Sequence, residues 1–482
     1  MFSQKLLRSG LFIVLALIAG LAIGCGDDDD DDDNDDGTPP VDDDVDDDVD
    51  DDVDDDVDDD VDDDLDDDTE PELVGLYLDQ YARAIPQTVT KSFVATAQWS
   101  DDTITTDENF VWESDDTGVL TVDQSGNATG VADGVATLSV SLQGMTDHAD
   151  VIVGADVFFF DAVGHFLSSY DRITGTVTDD YLAATRDIAF EVPSAMGIWE
   201  GVAYVADSGA HDVPDAEDGG LVLVDLFTKT TSTLEYVGLD NPWMVKIADD
   251  KAYVSGQLSH NLAVVNLWTE EAELYDLSAD CAPGDMEVVG DKVYVACSRY
   301  NPVTWAYGDP GQVAVLDLSE NPATVTLIDL PRVNPQHMAI TPDGSSLYVV
   351  STGDYFSAFG FVSEIELASD TLVDFFDLGN SPGPIAIAEN GKAFIGDADA
   401  LWTDGLVYVV DTNDDNAILR GVDVPILFAG AGGIMDIAVS AFGGDLYLAN
   451  WGTTQTSIMS PDDYTISGTP ATNFAQGYSF WQ

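Results

Sequence analysis

Three side chains far apart in the chain, Asp285, His337 and Asp436, have the chemistry to hold a divalent cation or a small polar ligand. Carboxylates and imidazole supply the oxygen and nitrogen donors that such ions take. All three fall at one position of an internal repeat, together with Ala195, Met244 and Pro384. If those positions begin strands lining a common channel, the three side chains converge on a ligand. The other reading is that they bind channel water and neighbouring backbone amides, and with nothing in the spacing to make them face one another this one is favoured.

The repeat supplies a second set of candidates in the loops after its second strand, which are unusually aromatic: Tyr300, Trp305 and Tyr307; Tyr355, Phe356 and Phe359; Trp402; Trp451. Exposed rings anchor recognition, so Trp305, Tyr355, Trp402 and Trp451 are candidates for an aromatic recognition face. Packing beneath their own loops is the alternative. Signatures of catalysis are missing: the chain has no Gly-x-Ser-x-Gly elbow, no His-Glu-x-x-His and no phosphate loop. Five histidines scattered singly give a histidine-based metal centre little material.

The elements that must position these residues return every 40 to 55 residues or so from Asp156 onward, a period that signals propeller blades. Each copy has a proline and a short apolar strand (Pro193 to Ile198, Pro242 to Ile247, Pro283 to Val289, Pro335 to Ile340, Pro382 to Ile387; Gly433 to Val439 lacks the proline). A second strand is centred on an aromatic: Tyr204, Tyr253, Tyr294, Tyr348, Phe394 and Tyr447. A third alternates and ends in Asp or Asn, as at Asp225, Asn266, Asp317 and Asp411. These units resemble the YVTN or surface-layer-like propeller family and, more distantly, the NHL repeat, over about residues 190 to 460. Six copies are clear. A seventh is assembled from Val157 to Ala162, Phe166 to Thr176 and the terminal Phe474 to Trp481, which would close the ring and remove its open edges; six blades is the alternative. Cys281 and Cys297 then lie across one hairpin, so a disulfide is expected if the stretch around Pro283-Gly284 folds back.

Ahead of the repeat, residues 70 to 154 read as short alternating strands with turns between them, the pattern of a β-sandwich. The expected strands are Leu73 to Leu78, Thr88 to Gln98, Phe110 to Glu113, Val119 to Val122, Ala128 to Val131, Gly134 to Leu142 and Ala149 to Val153. The run Phe110-Val111-Trp112-Glu113-Ser114-Asp115-Asp116, then Gly118-Val119-Leu120-Thr121-Val122, Gly126-Asn127-Ala128-Thr129-Gly130-Val131 and Gly134-Val135-Ala136-Thr137-Leu138, is similar to the group 2 bacterial Ig-like domain. That resemblance implies a core tryptophan, Trp112, and no catalytic residues.

The first seventy residues carry targeting information. Lys5 and Arg8 precede an apolar run from Leu11 to Ile23, the form of a secretory signal peptide. Leu21-Ala22-Ile23-Gly24-Cys25 resembles a bacterial lipobox, which implies removal of residues 1–24 and acylation of Cys25, a stable membrane anchor. Residues 25–69 are an acidic tether: from Asp27 to Asp68 there are 30 aspartates and no basic residue. Such a block cannot bury enough apolar area to order itself, and without the spaced ligands of a calcium loop it attracts divalent cations only weakly. Residues 69–482 still hold 63 acidic against 12 basic residues, within a formal net charge of −79. Nucleic acid and anionic lipid surfaces are therefore not expected as partners.

The sequence thus points to an all-β protein, an Ig-like sandwich at 70–154 and a seven-bladed propeller at 156–482. It would be exported and lipid-anchored to the bacterial cell envelope, at the outer membrane or cell surface. A noncatalytic binding or adhesion role toward an extracellular or periplasmic protein or glycan is expected. A metal-dependent, lactonase-like hydrolase and a purely structural envelope role are the alternatives, and a divalent cation is the one cofactor the candidate residues suggest.

Overall fold

The computed structural model describes residues 70–161, 164–183, 190, 192–209, 220–234, 239–355, 359–399, 401–441, 444–473 and 475–480. The chain divides after Glu72 into two units. The expected signal segment, Cys25 and the acidic tether lie outside the described residues, as does Phe356. All named elements are strands. No helix among the described residues is long and apolar enough to cross a membrane.

The first part of the larger unit is a sandwich of three small sheets. Leu73–Leu78 pairs Ala95–Trp99, which pairs Ile104–Thr105; Ala82–Ile85 runs parallel to Met145–Val153, followed by Gly134–Leu142 and Val111–Ser114; Thr90–Ser92, Asn127–Gly130 and Leu120–Val122 form the third. Trp112 sits in the core with Phe93, Leu120, Leu138, Val140 and Val151. Gly126 takes a φ of 77°, and a Cβ there would lie 2.9 Å from the Trp112 ring, so the turn beside the tryptophan needs glycine.

One expectation is corrected here, and one strand lies outside those expected. The strand expected over Thr88 to Gln98 is two strands in different sheets, because Phe93 leaves the ladder to bond Gly126 O and Val94 N bonds the Asp79 carboxylate. Ala82–Ile85 was not anticipated, since its neighbouring residues Ala84 and Ile85 are both buried and break the alternation. The cause is tertiary: Ile85 enters the sandwich core, while Ala84 and its neighbour-strand partner Ile152 pack with Phe158, Phe160, Tyr181 and Leu182 of the propeller. One parallel strand pair therefore serves two cores, one on each face.

Seven antiparallel sheets of four strands, one with a fifth strand added, follow among the described residues. Taken as blades, the first six begin at Pro193–Trp199, Pro242–Ala248, Pro283–Val289, Pro335–Ile340, Ile385–Ile387 and Ile434–Val439. The seventh is built from Ala475–Phe480, Val157–Asp161, Phe166–Asp171 and Thr176–Thr178. Each innermost strand neighbours the next, and Ala475–Phe480 neighbours both the sixth and the first, so the ring is closed by the chain's last described strand. That strand pairs antiparallel with Val157–Asp161.

The sequence signature of the blades has a physical basis. Tyr204, Tyr253, Tyr294, Tyr348, Phe394 and Tyr447 are buried between sheets. Where a third strand closes in Asp or Asn, that residue caps the turn to the outer strand: Asp225 accepts the Phe227 and Thr228 amides, Asn266 those of Trp268 and Thr269, and Asp411 that of Asn413. Such side-chain-to-backbone bonds stabilise tight turns.

Candidate functional site

The inner strands carry a repeated irregularity. Register shifts between Pro283 and Met286, Pro335 and His337, and Ile434 and Asp436 mark a bulge where each strand begins. A bulge removes amides from the ladder, and buried amides must find other acceptors. Asp285 meets that need twice, accepting Met286 N at 2.8 Å and, from the next blade, Met338 N at 2.9 Å. Asp436 accepts Gly477 N of the closing strand at 2.8 Å. Ser255 does the same for Met244 N at 3.0 Å. The two carboxylates are therefore bridges between neighbouring blades.

This places the expected cation site in a different light. His337 lies within reach of the Asp285 and Asp436 charges; its burial lowers its pKa against the pull of both. Burial raises that of Asp436, against the Gly477 amide and the charge on His337. Yet the described residues contain no group of three or more His, Cys, Asp or Glu side chains arranged to hold a metal. Convergence of Asp285, His337 and Asp436 on a cation is not the arrangement found, because the carboxylates are turned to backbone amides. Ala195 and Pro384 offer no polar side chain at that level.

The channel also holds an ion pair that the repeat alignment overlooks, Lys246 to Glu287 at 2.8 Å. These residues stand two places beyond Met244 and Asp285, on the same face of their strands, and that period-two step was the available signal. Burial opposes the Lys246 ammonium, but the charges of Glu287 and Asp285 outweigh it and its pKa rises; Glu287 is raised by burial.

The ends of the second strands, Asp207, Ser255, Cys297, Ser351, Asp397 and Asn450, are buried. Asp207 accepts Val192 N at 2.7 Å, and Asp397 accepts Ala398 N at 2.7 Å and the Tyr408 hydroxyl at 2.9 Å. Burial pushes Asp397 up to about 6 despite those donors. Cys297 pairs with Pro283, and the adjoining bend brings Cys281 to a Cα–Cα distance of 4.7 Å, where the two cysteines are disulfide-bonded.

The loops on this face differ in character. A small hairpin, Tyr300–Asn301 with Ala306–Tyr307, is fixed by Asn301 accepting the Val303 and Thr304 amides, and its tip leaves Trp305 79% exposed. Tyr300 and Tyr307 pack together with centroids 5.4 Å apart, and Tyr307 meets Tyr355 of the next blade at 6.4 Å. Packing thus accounts for Tyr300 and Tyr307, whereas Tyr355, Phe359, Trp402 and Trp451 remain exposed. From blade three to blade six the rim carries a series of partly exposed rings.

In the fifth and sixth blades two indoles share one support. Gly432 and Gly433 have φ values of 71° and 145°; a Cβ on Gly433 would lie 3.5 Å from the Trp402 ring, and one on Gly432 would lie 3.6 Å from Trp451. The nearby carboxylates are occupied by their own loop. Asp399 accepts Thr403 N, the Thr403 hydroxyl and Asp404 N, while Asp404 accepts Gly430 N.

Residues 78–153 match the Bacterial Ig-like domain (group 2). No curated protein matches the chain. Among solved structures, a proposed 6-phosphogluconolactonase from Bacteroides uniformis is similar, with a TM-score of 0.51 and 10% identity over 68% of this chain and 99% of that one. A quinoprotein alcohol dehydrogenase-like protein from Bacteroides thetaiotaomicron has a TM-score of 0.49 and 14% identity, over 85% of this chain and 99% of that one. The periplasmic gluconolactonase of Pseudomonas aeruginosa has a TM-score of 0.48 and 13% identity, over 68% and 99%. At these identities the likeness to the first is one of fold, a propeller, and carries no activity with it.

Proposed function

We propose that the protein is an exported, lipid-anchored envelope lipoprotein whose propeller is a noncatalytic binding module. The observation that carries the binding role is the rim: Trp305, Tyr355, Trp402 and Trp451 are exposed on one face, while Asp285 and Asp436 in the channel are engaged with backbone amides. Rings held on a rigid scaffold give contact area at little ordering cost. The anchor rests on the lipobox-like segment ending at Cys25.

Two measurements test the reading. The full-length protein, labelled and applied to arrays of glycans and envelope proteins, is expected to bind through the rim, so a Trp305→Ala/Tyr355→Ala variant should lose signal. Multiple turnovers of a lactone with added divalent cation would overturn the noncatalytic assignment. Cells expressing the Cys25→Ser variant should incorporate no labelled palmitate into the protein; incorporation equal to wild type removes the anchor.

A further inference from the structure

We propose that Trp402 and Trp451 form a carbohydrate clamp that stacks on a neutral oligosaccharide, an assignment that rests on the rim being a recognition face. The rings come from loops of two blades, 49 positions apart in sequence, yet they flank adjacent glycines. Consecutive Cα atoms are about 3.8 Å apart, so both indoles belong to one short stretch of surface. Trp402 is 55% exposed and Trp451 46%, each with part of its ring packed and part open. The glycines leave that stretch without side chains that would hold a ligand off the rings.

The chemistry around the pair selects among ligands. A cation-binding aromatic cage encloses its ion among several rings, whereas here two indoles flank a floor of glycine; Asp399 and Asp404 keep their charge but are turned to loop amides and a hydroxyl. An acidic ligand meets the repulsion of 63 acidic against 12 basic residues in 69–482. What remains is the apolar ring face itself, whose negative quadrupole attracts the polarised C–H groups of a pyranose. A neutral sugar chain satisfies that surface and brings no net charge to be repelled.

The test is titration of the full-length protein with cello-, manno- and laminari-oligosaccharides, read by tryptophan fluorescence, beside polygalacturonate and oligolysine as anionic and cationic probes. At least one neutral series should bind. Trp402→Ala and Trp451→Ala should each weaken it about tenfold or more, with Trp402→Phe retaining most of the affinity and Leu274→Ala, on an outer strand, retaining all of it. Neutral-sugar binding that survives both alanine variants overturns the clamp, as does binding of oligolysine alone. Absence of any neutral-sugar binding also overturns it, while a protein partner captured through Trp305 and Tyr355 would leave the broader binding role standing.

Discussion

Asp285 in the channel and Trp402 on the rim belong to the same side of the repeat, but their surroundings differ in kind. Asp285 has polar chemistry suited to a ligand and uses it on Met286 and Met338 amides. Trp402 has apolar surface suited to burial and leaves 55% of it uncovered. The contrast separates construction from the recognition proposed above: polar groups at the strand starts hold blades to one another, and rings in the loops face outward.

If that division is right, channel substitutions should cost stability and rim substitutions should not. Asp285→Ala leaves two amides of the inner strands without their acceptor, at about 1–3 kcal/mol each, so chemical denaturation should show a loss of several kcal/mol. A loss below about 1 kcal/mol would return Asp285 to the list of free ligands. Next in size, Cys281→Ser/Cys297→Ser opens a loop of 16 residues and should cost about 3 kcal/mol on the loop-entropy relation.

A third expectation concerns Asp397, whose pKa is raised by burial to about 6. A raised folded-state pKa means that the native state holds its proton more tightly than the unfolded chain does. The stabilising share is therefore complete below about pH 4 and is lost as pH rises through about 6. Asp397→Asn should flatten that segment of the stability curve, by about 2–3 kcal/mol between its ends; an unchanged slope by thermal melting at each pH refutes the assignment. The smallest effect belongs to the rim: Trp305→Ser should shift unfolding by no more than about 0.5 kcal/mol, and a larger loss would mean the ring is structural.

The fold was legible because its signals are local and repeated. Proline, a buried aromatic and a capping Asp or Asn recur in most of the blades, and Trp112 with its turn glycine marks the sandwich. Residues whose placement depends on other parts of the chain were not legible. Ala84 reads as a misfit until Phe158 and Tyr181 are packed beside it. The repeat places Asp285 and Asp436 in the channel, but only the bulges show which amides turn their carboxylates aside. Trp402 and Trp451 are each visible as loop aromatics, whereas their shared glycine support is a relation between two blades that no single window contains.

The pairing of Val157–Asp161 with Ala475–Phe480 has a temporal consequence. Val157–Asp161 waits for Ala475–Phe480, across more than three hundred residues, so its long-range contacts form only after the blades between them have been released. Such high contact order slows folding and leaves the early blades as an open, sticky edge in the meantime. If the chain is exported as proposed, crossing a membrane as an unfolded thread, the delay is an advantage: the intervening blades can emerge before the propeller is able to lock, and locking then happens in one late step on the far side.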